Sequence, residues 1–295
     1  MGLYKYVVPG RIDILKGGYI RFTHPSALND PFEVKPYFKL FKPTPTQLDE
    51  LQNSPGRIIR KRAREKYNAL PPTVKATTSY QDIKNETERN FPERLRLLLS
   101  DKPEDVEKVR EHVWDRLDAR TGVLSLTRNP FNLLMWAHYA QNHQGFVIEF
   151  DEHHPYFNRP HIPGDTHALV NRRPSDESGY LRDVKYERKR PIFETTLDMT
   201  PVGALLVKST KWRYEREVRM FQALEKCKNI SGDVHLFKIP MTCVKGIIVG
   251  ANMSPADKQE ILNTLKSSKR FSHIQVSHMV LAGRTFALRK VNGLL

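Results

Sequence analysis

Cys227 and Cys243 are the only cysteines in the chain, too few for a disulfide framework at this length and not spaced as a metal knuckle. A reduced, cytosolic protein is the expectation. No apolar run approaches the ~18 residues of a spanning helix, so no membrane segment is expected. The opening Met-Gly-Leu-Tyr-Lys-Tyr enters strand-like sequence without a signal peptide's apolar core, and a myristoylation signal at Gly2 is set aside because Tyr6 stands where Ser or Thr is wanted. Also missing are a Gly-x-Gly-x-x-Gly after a strand and a Walker Gly-Lys-Ser/Thr loop, which disfavours a doubly wound nucleotide fold. No internal repeat is visible. Acidic residues are the scarcer charge: 33 Asp and Glu face 48 Lys and Arg, a net of +15. Such an excess attracts polyanions over about 8 Å at physiological salt. It favours nucleic acid or a nucleotide as partner, with a solvated basic surface as the plain alternative.

With 39% hydrophobic residues in 295, the chain can bury a substantial core. Residues 3 to 8 read as an opening strand closed by Pro9-Gly10, residues 11 to 16 as a helical turn or two, and residues 19 to 23 as a second strand released by Gly17-Gly18. His24 to Pro31 is turn chemistry. From 43 to 120 long polar side chains on helical spacing predict an insertion of three or four helices, broken at Pro55, Pro71-Pro72 and Pro103. Strands are expected at 122–127 and 145–150 around a helix at 130–141, and a long polar loop at 153–178. Residues 180–186 and 215–224 look extended, with a helix at 201–209 between them. A buried strand at 244–249 precedes a helix capped by Ser254 with Pro255 at its first position, and strands are expected at 273–279 and 284–288. Together these predict one α+β domain over 1–295, with a mixed, largely antiparallel sheet and a helical insertion at about 43–120.

Two stretches concentrate chemistry. In the first, Trp136, Tyr139 and His143 would share a helical face, with His138 projecting elsewhere. That face suits stacking on a nucleobase or nicotinamide ring, with a histidine holding phosphate or a proton; core anchors at the same spacing are the competing reading. Zinc binding by His138 and His143 lacks further ligands, so no metal is expected. In the second, Glu215, Glu217 and Arg219 alternate on an expected strand, placing three charges on one face, either as a site or as a simple ion pair. Arg57, Arg60, Lys61 and Arg64 form a helical stripe consistent with phosphate contacts or with a solvated face. Arg172-Arg173 and the segment Arg182 to Arg190 add basic surface, and the interleaved Tyr180 and Tyr186 would suit stacking on single strands.

Leu3-Tyr-Lys-Tyr6, Asn29-Asp-Pro-Phe-Glu33, Met135-Trp-Ala-His-Tyr-Ala140 with Gly145-Phe-Val-Ile-Glu-Phe150, and Lys211-Trp-Arg-Tyr-Glu-Arg-Glu-Val-Arg219 together resemble the bacterial family known as domain of unknown function 2971. The order of elements more distantly resembles ADP-ribosyltransferases. That resemblance implies an ADP-ribosyltransferase-like sheet and cleavage of NAD at its nicotinamide–ribose bond, with Glu217 on the ribose hydroxyl and the developing oxocarbenium charge. It also implies that Lys5 steadies ribose or pyrophosphate and that Tyr139 or Trp136 stacks on nicotinamide. Tyr6, Ser125, His138, Glu215 and Arg219 would complete the NAD site. The ADP-ribose would pass to a macromolecule, with DNA or RNA favoured by the charge, in a toxin or phage-defence setting. Two alternatives are a non-catalytic nucleic-acid-binding module using Arg57, Arg60 and Arg64, and a hydrolase or nuclease holding Mg²⁺ between Asp30, Glu33, Glu215 and Glu217.

Overall fold

Aromatic and β-branched residues make Leu3–Val7 an extended strand whose two faces feed different cores: Leu3 and Val7 join one hydrophobic cluster, Tyr4 and Tyr6 the other. This alternation decides where the charged side chains of neighbouring strands meet. The computed structural model describes residues 2–33, 37–40, 42–70, 75–100, 102–157, 180–195, 202–227 and 229–293. In chain order the elements are β1 (Leu3–Val7), α1 (Asp13–Gly17), β2 (Tyr19–Phe22), β3 (Tyr37–Leu40), α2 (Pro45–Asn53), α3 (Pro55–Ala69), α4 (Tyr80–Leu99), α5 (Pro103–Arg120), β4 (Thr121–Thr127), α6 (Leu133–Tyr139) and β5 (Phe146–Phe150). There follow β6 (Arg182–Asp183), β7 (Lys185–Glu187), β8 (Ile192–Thr195), β9 (Val207–Ser209), β10 (Glu217–Ala223), β11 (Asn229–Ser231), β12 (Val234–Lys238), β13 (Val244–Val249), α7 (Pro255–Lys266), β14 (Gln275–Leu281) and β15 (Leu288–Asn292). The chain forms two compact units: Met1–Pro36, Leu117–Pro191 and Thr200–Leu295 make the first, and Tyr37–Arg116 with Ile192–Met199 the second.

The first unit is built on an eight-stranded sheet in the order β15-β14-β13-β5-β1-β4-β10-β6. Its one parallel pair, β13 with β14, is bridged by α7, whose Ser254 cap accepts from Asp257 N and whose first position is Pro255. The other pairs are antiparallel, which makes the fold α+β with a mixed, mostly antiparallel sheet. One face buries Leu124, Leu126, Ile148, Val218 and Met220 beneath α1 and α7; the other carries Met135 and Trp136 of α6 with Val147, Ile248 and Met279.

The sheet forks at β4. Its edge toward β1 pairs only at Tyr4 opposite Thr127, and four residues earlier Val123 bonds Thr23, just after β2. β2 belongs to the separate sheet β11-β12-β2. Between these two bridges the Ser125 carbonyl accepts from Lys5 Nζ at 2.9 Å, a side chain standing in for the missing strand bond.

The second unit holds α2, α3, α4 and most of α5, with β3 and β8 paired in parallel. Prolines open α2, α3 and α5, as expected where a helix's first N–H groups need no partner. Ile59, Ala63, Ile83, Phe91, Val109 and Val113 are buried. Among the described residues no helix is long and apolar enough to cross a membrane.

Three expectations need correction. The helix expected to 141 ends at Tyr139, because Gln141, Asn142 and His143 all take positive φ, between 47° and 66°. The helix expected at 201–209 is a short 3-10 turn, Val202–Leu206, running into β9, an apolar run too short for its period to separate helix from strand. The last strand begins at Leu288 rather than Arg284, after an exposed hairpin loop. Of the long loop at 153–178, residues 158–178, with Arg172 and Arg173, lie outside the described residues.

Candidate functional site

The cluster forms where β10 begins. Ser209 Oγ accepts from Lys211 N at 3.3 Å and starts a 3-10 turn, Thr210–Glu215, and Arg216 then adopts the left-handed region with φ 44°. The strand therefore opens only at Glu217. This corrects the expected alternation: Glu217 and Arg219 share a strand face, and Glu215 reaches the same cluster from the turn, with its carbonyl accepting from Thr127 Oγ1 at 2.5 Å.

Opposite Glu217 and Arg219 in register stand Thr127 and Ser125, so these four share a face with Tyr4 and Tyr6. Arg219 Nε donates to Glu217 Oε1 at 2.7 Å and Nη2 to Glu217 Oε2 at 2.9 Å. Its remaining donors reach Glu33 Oε1 and the Leu205 carbonyl. Lys208, at the centre of β9, places Nζ 2.7 Å from Glu215, 3.3 Å from Glu217 and 3.5 Å from Glu33. All five side chains are at most 5% exposed. Tyr139 OH donates to Glu215 Oε1 at 2.5 Å and accepts from Asn29 Nδ2, while Tyr186 OH accepts from the Glu217 amide at 2.8 Å.

Three carboxylates share two cations here, a formal surplus of one negative charge in a buried setting. Burial works to raise the Glu217 carboxyl, but Arg219 and Lys208 outweigh it and hold it at about 2. At Glu33 burial wins, and that carboxyl lies above its ordinary value despite Arg219 and Lys208. Burial opposes charge on Lys208, yet Glu217, Glu33 and Glu215 together carry its amine up. Burial, then the bond to Glu215, push the Tyr139 phenol up. The cluster thus contains one carboxylate locked as an anion and another whose carboxyl lies above its ordinary value.

Several expected members sit elsewhere. Lys5 alternates with Tyr4 and Tyr6 and so projects with Leu3 and Val7 to the opposite face of the sheet from Glu217 and Tyr139. Its amine is spent on the Ser125 carbonyl at the fork, and burial, against the pull of Glu217, lowers it to about 8. Trp136 is wholly buried, donates Nε1 to the Pro130 carbonyl at 2.8 Å and meets Tyr6 edge-on at 5.2 Å. Tyr6 OH donates to the Asn129 carbonyl at 3.0 Å. Both rings are core anchors with no face free to stack a ligand. His143, off the helix, stacks on Trp136 at 6.1 Å, and burial lowers its pKa; His138 is exposed beside Tyr139. Tyr186, expected to stack on single strands, is committed to the Glu217 amide.

Among the described residues no three His, Cys, Asp or Glu side chains gather as ligands for one ion. The Lys208 ammonium lies between Glu33, Glu215 and Glu217, where the Mg²⁺ reading would need a cation. Asp30 instead caps its own turn, accepting from Phe32 N at 2.9 Å. Cys227 and Cys243 are buried and not disulfide-bonded.

Sequence reasoning missed Lys208 altogether. One signal was available: a lone lysine ending the apolar run Ala204-Leu-Leu-Val, three residues before the Lys211 motif. Residues 135–220 match the family described as Protein of unknown function (DUF2971). The matched segment carries Tyr139, Lys208, Glu215, Glu217 and Arg219, whereas Lys5, Asn29, Glu33 and Ser125 lie before it. No curated protein and no solved structure matches the chain.

Proposed function

We propose that this protein cleaves NAD at the nicotinamide–ribose bond and transfers ADP-ribose to a macromolecule, using the sheet face that carries Glu217. The observation that supports this reading most is Glu217 itself, a carboxylate held ionised at every physiological pH beside Ser125, Glu215 and Tyr139. In the proposed step the C1′–N bond breaks and its electron pair returns to the pyridinium nitrogen, so nicotinamide leaves neutral. The positive charge left on the ribose is what a fixed anion stabilises. An acceptor oxygen or nitrogen then bonds C1′ and gives up its proton. Tyr4, Tyr139 and Tyr214 are partly buried rings on the same face, suited to stacking on nicotinamide. Lys5 has no part in this scheme, and the cations beside the carboxylates are Lys208 and Arg219.

The test is nicotinamide release from NAD, by the protein alone and with DNA, RNA or cell lysate. Release is expected in at least one mixture, falling 100-fold or more, by order of magnitude, in Glu217→Gln. A chain that releases no nicotinamide in any mixture, and binds NAD no differently when Glu217 is changed to Gln, rules the reading out.

A further inference from the structure

The second unit distributes its charge unevenly. Residues 37–116 contain 17 Lys and Arg against 13 Asp and Glu, while α3 alone contains 6 basic residues and 1 acidic one. With Ile192–Met199 included, the remainder of that unit holds 11 basic and 14 acidic residues, so its entire positive excess sits on one helix. On α3 the inner face is committed to packing, with Ile59 and Ala63 buried. The outer face presents Arg57, Arg60, Lys61 and Arg64, all exposed, at successive three- and four-residue steps. Arg57 lies 3.7 Å from Glu50; Arg60, Lys61 and Arg64 have no ion pair among the described residues.

We infer that the outer face of α3 binds the phosphodiester backbone of nucleic acid. Seven helical steps from residue 57 to 64 span about 10 Å at ~1.5 Å each, the length of roughly three base steps at ~3.4 Å. Three of the four side chains are arginine, whose planar fork grips phosphate oxygens in pairs. An anionic membrane fits less well. A helix lying in a membrane surface buries an apolar face in the lipid, and here the apolar face is already covered while the free face is polar throughout. The surface reads sequence-independent charge, and it stands or falls apart from the NAD reading, because binding is measured without any turnover.

The experiment is fluorescence anisotropy of the full chain with labelled single-stranded and duplex oligonucleotides at 50 and 200 mM salt, beside flotation with anionic phospholipid vesicles. Three or four phosphate contacts give a slope of about −3 in log affinity against log salt, a loss of roughly 40- to 150-fold over that range. Changing Arg60 and Arg64 together to Ala removes two contacts, so the salt-dependent loss shrinks by about 12-fold. Changing Arg284 and Arg289 together to Ala, exposed residues of the first unit, removes the same charge and is expected to leave the slope unchanged. The inference is overturned by no binding to either oligonucleotide at 50 mM salt or by an unchanged slope in the Arg60/Arg64 variant. An equal effect from the Arg284/Arg289 pair, or tighter binding to vesicles than to oligonucleotides, overturns it as well.

Discussion

Replacing Lys208 with Met keeps much of the volume of the side chain and deletes the charge that three glutamates share. Glu33, Glu215 and Glu217 would then face Arg219 alone, and the formal surplus in the cluster would grow from one negative charge to two. Removing one partner from a buried ionic network costs about 3–5 kcal/mol, because the charges left behind are desolvated without compensation. For a cooperative unit of this size, that is a fall in Tm of roughly 6–20 °C. The pH dependence follows from Glu33. Its carboxyl already lies above its ordinary value, and losing Lys208 raises it further, so the folded variant binds a proton that the unfolded chain releases. Stability gained that way grows as pH falls, by about 1.4 kcal/mol per pH unit for each extra proton held. Urea unfolding followed by circular dichroism at pH 8 and pH 5 should therefore show a gap between parent and variant that narrows at pH 5. Adding Glu215→Gln returns the surplus to one and should recover at least half of the loss. A deficit under about 1 kcal/mol that ignores both pH and the second substitution would refute the view that Lys208 holds this network together.

Four further outcomes are expected. Below pH 4.5 the parent should lose about 3 kcal/mol as pH falls toward 2, because Glu217 is held at about 2 in the fold; its stabilisation is complete above the unfolded value of ~4.5 and is lost on protonation, readable as a falling urea midpoint. Arg216→Gly should be neutral or stabilising by up to about 1 kcal/mol, since φ is 44° there, while Arg216→Val should destabilise; thermal melts separate the two. Gly145→Ala should cost about 2–3 kcal/mol, because a Cβ would run into the Val7 carbonyl and the Ala140 backbone, and the same melts measure it. Reductive ¹³C-methylation should give a dimethylamine resonance for Lys5 titrating near 8, well below the ~10.4 of an ordinary lysine side chain.

Much of the architecture is legible in local chemistry. Strands β1, β5 and β13 announce themselves by aromatic and β-branched runs, and Ser254 with Pro255 marks the start of α7, because each signal is confined to a few neighbouring residues. The resemblance to ADP-ribosyltransferases implies that Lys5, Tyr139 and Glu217 share one cleft; Tyr139 bonds Glu215 beside Glu217, whereas Lys5 projects to the other face of the sheet. The misplacement of Lys5 has a long-range cause: which face its side chain takes relative to Glu217 depends on β4 lying between β1 and β10, and on register, neither of which is written near residue 5. Three successive positive-φ residues after Tyr139 leave no glycine to betray the turn. Lys208 was missed because a single lysine in a short apolar run has no partner nearby in sequence, and its three acids lie 7, 9 and 175 residues away.

The lysine at the branch point of the sheet is a durable choice of bracket. An amine offers an N–H to the Ser125 oxygen whether or not it carries a proton, so above a midpoint at about 8 the joint stays made, though a neutral amine donates more weakly than an ammonium. A carboxylic acid would let go on ionising. The place where two sheets part company is thereby fastened by a clasp that loosens on deprotonation without letting go.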